Sequence, residues 1–280
     1  MRIIIHGGFF SESSTNNETK VAKQEALEQI AKASFDYLKT HSALETVVFA
    51  VSLLEDDDLF NAGIGSQIQS DGKIRMSAAV MDGSTQKMSG VINIEETKNP
   101  IQVAMILQDS EDKVLGGSGA TAFARKLGFE AFSTEIPQRR AEYEAKKTGN
   151  GSGTVGCVAL DEHGKIAAAT STGGKGFEIP GRISDSATVA GNYANEFCGV
   201  SLTGVGEDIV SNATAAKIVT RVTDGFSLKE AFDKTFAELK AIDGFAGAIA
   251  IDNQGNMYHQ DSYPSMVFGS FDGVKFETFE

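Results

Sequence analysis

At residues 151–156 the chain reads Gly151-Ser152-Gly153-Thr154-Val155-Gly156 and passes at once into Cys157-Val158-Ala159-Leu160-Asp161. A glycine-rich polar run reads as loose chain, while the apolar run after it reads as a buried strand. Thr154 therefore stands where linker becomes core, at the head of a strand. Were the chain cut before it, one residue would carry both a hydroxyl nucleophile and a free amine. Such an amine titrates near about 7.7–8.0, so an appreciable fraction is a free base at neutral pH. Activation of a weak threonine hydroxyl by its own terminal amine is one established solution. In the uncut chain Thr154 has no such base.

On either side of this junction the pattern of elements is similar. Ile3 to Ile5 reads as a short buried strand ended by His6-Gly7-Gly8. Leu27, Ile30, Ala31, Phe35 and Leu38 recur at helical spacing within a helix over 19–39, and a mostly apolar helix over 43–55 should sit deep in a layer. Strands are expected over 75–81 and 87–94, then a helix opened by Asn99-Pro100 and running to about Gln108, and another over 117–127. Residues 137–153 begin charged and end in small polar residues, the best linker in the sequence. After it, 155–160 and 166–170 flank Asp161-Glu162-His163-Gly164 as a hairpin. Helices over 208–223 and 228–240 follow, then strands over 245–251, 256–259 and 265–268. These patterns alone support a mixed α and β chain, with two sheets covered by helices.

Bulk properties remove several functional classes. The 280 residues carry a net charge of −13, which argues against nucleic acid, whose phosphates demand basic patches. No apolar run approaches the ~18 residues of a membrane span, and the start, Met1 to His6, is too short for a signal sequence. Cys157 and Cys198 form no Cys-x-x-Cys pair and no disulfide framework, so a reduced, cytoplasmic protein is the expectation. His6, His41, His163 and His259 show no zinc spacing.

Two motifs match in form but fail in context. Gly151-x-Gly153-x-x-Gly156 satisfies a dinucleotide fingerprint, yet that fingerprint needs a strand before it and a helix after it. Here a charged linker precedes and a strand follows. A serine-hydrolase elbow is not met at Ser152, because Asn150 and Thr154 occupy the flanking glycine positions.

A set of ordered blocks spans nearly the whole chain: His6-Gly7-Gly8, Asn61-Ala62-Gly63-x-Gly65, Met81-Asp82-Gly83, Gly153-Thr154-Val155-Gly156, Ser171-Thr172-Gly173-Gly174, Gly181-Arg182-Ile183-Ser184-Asp185-Ser186 and Thr203-Gly204-Val205-Gly206-Glu207. In this order they resemble the isoaspartyl peptidase/L-asparaginase family of N-terminal-nucleophile hydrolases. The resemblance implies an α+β fold, the four-layer αββα sandwich of those enzymes, as one domain of residues 1–280. It further implies a cut between Gly153 and Thr154, giving pieces 1–153 and 154–280, with Thr154 as nucleophile. Thr172 would lie beside that nucleophile and Asn61 would contact it. Thr203 and the Gly204 amide would stabilise the oxyanion. Arg182 would grip the substrate's α-carboxylate with two parallel bonds, Asp185 would hold its α-ammonium, and Gly204 and Gly206 would line the substrate. The segment around Asp56 to Asp58 resembles a loop whose backbone carbonyls, here Leu54, Glu55, Phe60, Ala62 and Ile64, hold a structural sodium ion. No cofactor is implied for catalysis. The implied partners are a small-molecule or dipeptide substrate and a second copy in a homodimer of cut protomers, with no nucleic acid and no membrane.

Taken singly, each block has a plainer reading. Thr-Gly and Gly-Arg pairs are usually turn chemistry. An Arg and an Asp three residues apart are most often a surface ion pair, an acidic run is usually a solvated loop, and Cys157 is a small buried strand residue. It is the order of the set that carries the functional reading. The chain also departs from the family pattern. Ser184 stands where the family has glycine and Ala187 where it has proline, while Lys175-Gly176-Phe177-Glu178, Val189 to Ala194 and the segment from Phe9 to Lys20 differ from the usual continuations. These departures bear on the preferred substrate rather than on the reaction type. Two rival functions stay open: a glycosylasparaginase acting on sugar-linked asparagine, and an uncut relative that binds amino acids through Arg182 and Asp185 without turnover.

Overall fold

Twelve strands and eight helices are found in the computed structural model, which describes residues 1–9, 17–145, 153–263 and 265–280. The chain is mixed α and β. Its larger sheet uses β1 (Arg2–Phe9), β2 (Met76–Asp82), β3 (Lys87–Ile94), β4 (Val114–Gly116), β5 (Val155–Leu160), β6 (Ile166–Thr172), β11 (Met266–Phe271) and β12 (Phe276–Thr278), in the order β12-β11-β1-β5-β6-β2-β3-β4. The smaller uses β7 (Asn192–Ala194), β8 (Cys198–Gly204), β9 (Ala246–Asp252) and β10 (Met257–Asp261), in the order β10-β9-β8-β7. Neighbouring strands run antiparallel except for β3 and β4.

β5 and β6 are buried along their whole lengths, which explains why both read as unbroken runs without alternation. Helix α2 (Ala43–Glu55) packs on these strands, and β8 contacts the same pair. Helix α1 (Asn17–Leu38) lies on β1 and β11, while α3 (Pro100–Ile106) lies on β2 and β3. On the smaller sheet α7 (Thr214–Thr223) packs against β7 and β8, and α8 (Leu228–Lys240) against α7 and β10. One apolar core, including Val47, Val51, Leu54, Val155 and Ala169, is built around the larger sheet; a second, including Val200, Leu202, Ile218 and Phe232, joins the smaller sheet to its helices.

Local chemistry fixes the helix starts. Ser42 accepts a hydrogen bond from the Glu45 N–H while the Glu45 carboxylate accepts from the Ser42 N–H, a capping box; Ser227 and Glu230 repeat it before α8. Asp161, in the β5–β6 turn, accepts from the first amide of α2, that of Ala43, at 3.2 Å. The hairpin is thereby tied to the helix that covers it.

Several boundaries differ from the sequence reading. His6-Gly7-Gly8 does not end β1: the strand continues to Phe9 through a shift in register, with Gly8 at φ +87°. Pro137–Glu144 is a helix, α5, inside the stretch read as linker, and 146–152 lie outside the described residues. The helix read over 208–223 is two, α6 (Gly206–Asn212) and α7, broken at Ala213 with φ +51°. The strands β4, β7, β8 and β12 were not expected. Among the described residues no helix is long and apolar enough to cross a membrane.

Candidate active site

Thr154 lies immediately before β5, and the β5–β6 register sets it opposite Thr172, since Val155 pairs with Ser171. The Thr154 hydroxyl donates to Oγ1 of Thr172 over 3.1 Å, and both residues are almost fully buried. The Gly174 N–H donates to the same Thr172 oxygen at 3.2 Å.

Which face these hydroxyls occupy follows from the period of two along a strand. A side chain on Gly156 would collide with Oγ of Ser201 and with the His6 ring, so the Gly156 side of β5 faces the smaller sheet. Thr154, two residues earlier, shares that face. On β6, Thr170 meets Oγ of Ser201 at 2.7 Å, and Thr172 is two residues further along. On β8, Thr203 is two residues beyond Ser201. Thr154, Thr172 and Thr203 therefore all look into the space between the sheets. Oγ1 of Thr203 is buried without a hydrogen-bond partner, an arrangement that costs free energy unless a ligand or water completes it.

Asn61 braces the junction. Its N–H donates to the carbonyl of Gly153 at 3.3 Å, and its carbonyl accepts from the Gly173 N–H at 2.9 Å. Its side-chain amide donates to the carbonyl of Gly174 at 2.6 Å and accepts from the Gln67 N–H at 3.0 Å. A Cβ on Gly153 would lie 2.5 Å from the Cβ of Asn61, and one on Gly173 would meet Ser66 and Asn61, so the approach requires glycine at both places.

A second cluster gathers around Gly206. A Cβ there would lie 2.8 Å from Oδ1 of Asp185 and 3.0 Å from Nη2 of Arg182. Arg182 is not paired with Asp185. Its Nε and Nη2 each donate to a carboxylate oxygen of Glu207 at 2.8 Å, which leaves the Nη1 edge of the guanidinium outside that pair. The bonds from Arg182 hold the Glu207 carboxyl down at about 2. Asp185 is 3% exposed, and burial pushes its carboxyl up to about 6, with the Ser184 hydroxyl pulling the other way. Its Oδ2 has no partner. Gly204, at φ +144°, ends β8 against the carbonyl of Phe245, and a side chain there would clash with it.

Three buried side chains make contacts that the sequence reading did not assign to them. His6 is fully buried, its Nε2 2.9 Å from Oγ of Ser201, and burial lowers its pKa to about 3 against a weaker effect from the Thr154 backbone. Glu55 accepts from the Ser171 hydroxyl at 2.6 Å and the Ile101 N–H at 3.2 Å, and burial raises its carboxyl to about 8. Glu178 is 5% exposed beside Gly174. Only Glu55 left a signal, as the one acid closing an otherwise apolar helix.

Around the acidic run the backbone turns inward. Gly63 at φ +55° leaves room for the carbonyl of Glu55, and Gly65 at φ +86° for those of Asp58 and Phe60. The Glu55 carbonyl also accepts from the Ile64 N–H at 2.7 Å. Carbonyl oxygens are the donor type that hard cations take, so the backbone oxygens of Glu55, Asp58 and Phe60 beside these glycines fit a sodium ion in kind. Among the described residues no group of three or more His, Cys, Asp or Glu side chains is placed to hold a metal. A separate cleft of about 520 Å³, between the end of α8 and residues Phe245, Gln260 and Tyr263, contains none of the expected site residues.

Comparison with known proteins points to one family. A family model described as "Asparaginase" matches residues 1–150 and 132–279. An isoaspartyl peptidase/L-asparaginase of Synechocystis is 44% identical over 95% of this chain and 86% of its own length. A Nostoc protein of the same name is 44% identical over 98% of this chain and 92% of its own. The isoaspartyl peptidase of Escherichia coli is 39% identical over 91% of this chain and 88% of its own.

Proposed function

The chain belongs to the asparaginase family, and from that premise we propose that it hydrolyses the β-amide of L-asparagine and of β-aspartyl dipeptides with Thr154 as nucleophile. The relatives' names and the near-complete coverage of both chains support this reading. The observation that carries it to named residues is the Thr154–Thr172 hydroxyl pair at 3.1 Å, at a strand head whose preceding carbonyl is held by Asn61.

The protein is made as one domain of residues 1–280 and cuts itself between Gly153 and Thr154. Oγ1 of Thr154 attacks the carbonyl carbon of Gly153, whose oxygen accepts from the Asn61 N–H. The Gly153–Thr154 C–N bond then breaks, the hydroxyl proton passing to nitrogen, so that the amine of Thr154 is freed and an ester joins Gly153 to Oγ1. Water hydrolyses that ester to the Gly153 carboxylate and restores the Thr154 hydroxyl. The pieces stay together because β5 enters the sheet between β1 of the first piece and β6 of its own. Helices on the outer face of each of two stacked sheets support the four-layer αββα sandwich of N-terminal-nucleophile hydrolases.

In the cut enzyme the amine of Thr154 takes the hydroxyl proton as Oγ1 attacks the β-carbonyl of the substrate. Thr203, with its unpartnered hydroxyl, and the Gly204 N–H receive the oxyanion; one such donor is worth about 100–1,000-fold in rate. The C–N bond breaks, the amine of Thr154 returns the proton, and ammonia or an amine leaves. Water cleaves the aspartyl ester and releases aspartate. Arg182 binds the α-carboxylate by its free edge, Asp185 the α-ammonium, and Gly206 leaves room for both. The carbonyls of the 54–65 loop would hold a structural sodium ion, which would steady the segment that carries Asn61, and the proposed chemistry calls on no cofactor. By the same resemblance the protomers pair as homodimers in the cytoplasm; two free, buried cysteines suit a reducing compartment.

The test is intact mass at neutral pH together with ammonia release from L-asparagine. Two pieces meeting at Gly153 and Thr154, with turnover, are expected, and Thr154→Ala should lose both. Turnover by an uncut Thr154→Ala chain would remove Thr154 from the nucleophile role.

A further inference from the structure

Asp185 presents an asymmetry that its neighbours do not resolve. It is 3% exposed, Oδ1 accepts from the Ser184 hydroxyl at 3.0 Å, and Oδ2 is buried with no partner at all. Arg182 makes no hydrogen bond to Asp185; its Nε and Nη2 are both directed at Glu207. Backbone closes on both sides: a Cβ on Gly191 would lie 2.5 Å from Oδ2, and one on Gly206 2.8 Å from Oδ1. A carboxylate so enclosed takes one side-chain hydrogen bond from within the protein, that of the Ser184 hydroxyl.

We propose that Ser184 is a positioning residue: its hydroxyl holds Oδ1 of Asp185, the oxygen beside Gly206 and Arg182, and so fixes the carboxylate that receives the α-ammonium of the substrate. The inference rests on the reading of Asp185 as the ammonium holder. Ser184 has a single hydroxyl proton, and donating it to Asp185 leaves its oxygen to accept from Ser186, 3.5 Å away. The glycine that the family pattern has at this position carries no such donor.

The same bond favours the charged form of Asp185. Burial pushes the carboxyl up to about 6; the Ser184 hydroxyl and the Arg182 charge oppose this, while Glu207, on α6, adds to it. Gly191 and Gly206, which close the remaining sides, bring no charge. Removing the hydroxyl therefore raises the pKa of Asp185 further, and the acid limb of kcat/KM moves to higher pH.

The experiment uses wild type, Ser184→Ala and Ser184→Thr, each taken through self-cleavage and checked by mass. Steady-state hydrolysis of L-asparagine and a β-aspartyl dipeptide is followed from pH 5.5 to 9, with calorimetric binding of L-aspartate in parallel. Ser184→Ala should raise KM and the aspartate Kd about tenfold at pH 6.5, as expected for a lost hydrogen bond to a charged group. The difference should narrow toward pH 8, where Asp185 is ionised in both proteins, without vanishing, because the positioning bond stays lost; kcat should change less than twofold, and Ser184→Thr should recover wild-type values. Ser184→Ala matching wild type in KM, Kd and acid limb overturns the role of Ser184. If wild type binds aspartate but hydrolyses neither substrate, the functional reading fails while weaker binding by Ser184→Ala still upholds this inference. A wild-type protein that does not bind aspartate overturns both.

Discussion

Asn61 donates its backbone N–H to the carbonyl of Gly153 at 3.3 Å, and its Cβ occupies the space a side chain on Gly153 would need. The bond to be cut is thus held from the carbonyl side by a residue 92 positions earlier, which is itself tied to Gly173 and Gly174 beside Thr172.

Gly153→Ala should therefore slow self-cleavage. A Cβ 2.5 Å from that of Asn61 forces the two apart and weakens the donor that would receive the developing negative charge. Loss of one such donor is worth about 100–1,000-fold. The measurement is a mass time course of freshly made protein at neutral pH. A substitution cut at the wild-type rate would show that this contact has no part in processing. Material that does become cut should turn over L-asparagine normally, because the strain acts only across the intact bond.

Thr172 is expected to serve both steps through its hydroxyl rather than its methyl. It accepts from Thr154 at 3.1 Å and from the Gly174 N–H at 3.2 Å, so Thr172→Ala leaves two donors without their acceptor. Cutting and kcat should both fall by about tenfold or more, given that a buried unsatisfied group costs about 1–3 kcal/mol. Thr172→Ser should retain most of each rate. Equal losses in the alanine and serine variants would assign the role to packing.

Much of the site was legible because it sits in contiguous blocks: the glycines at 153, 156 and 173 are needed at once by a turn or close approach, and such residues advertise themselves. What was not legible lies between blocks. β8 escaped notice although it carries Thr203 and Gly204. Its pattern does alternate, with Val200 and Leu202 in the core under α7 and α8. Ser201 and Thr203 on the opposite face look polar and suggest solvent, yet they face the other sheet, where Ser201 meets His6 and Thr170. Nor did spacing reveal that Arg182 pairs with Glu207, 25 residues on, instead of with Asp185. The break at Ala213 carries no glycine or proline to announce it; the Ala215 N–H bonds to the Ala190 carbonyl, a tertiary contact that local propensity does not contain.

The Arg182–Glu207 pair predicts a binding effect without a chemical one. Glu207 takes the Nε edge of the guanidinium and so aims the other edge at the ligand. Glu207→Ala should raise KM about tenfold with kcat nearly unchanged, since the arginine keeps its charge and loses only its orientation. Arg182→Ala should raise KM further while leaving self-cleavage intact, because no α-carboxylate takes part in processing. If Arg182→Ala also blocks cutting, Arg182 is structural.

His6 predicts a specific acid sensitivity of the fold. Its folded pKa of about 3 lies below the ordinary 6.5, because burial disfavours the imidazolium. The unfolded chain therefore binds the proton first as pH falls. The stability contributed by neutral His6 is complete above about 6.5 and declines through the window down to about 3, by at most about 1.4 kcal/mol per pH unit. The comparison is best made in a Thr154→Ala background, where one uncut chain unfolds. Urea midpoints measured from pH 8 to 4 should fall less steeply for His6→Gln than for the parent chain below pH 6.5. Gln retains a polar group for Ser201 and binds no proton. Parallel curves would mean that His6 takes up its proton as readily in the folded protein as in the unfolded chain, and that the polar contacts between the two sheets tolerate a charge.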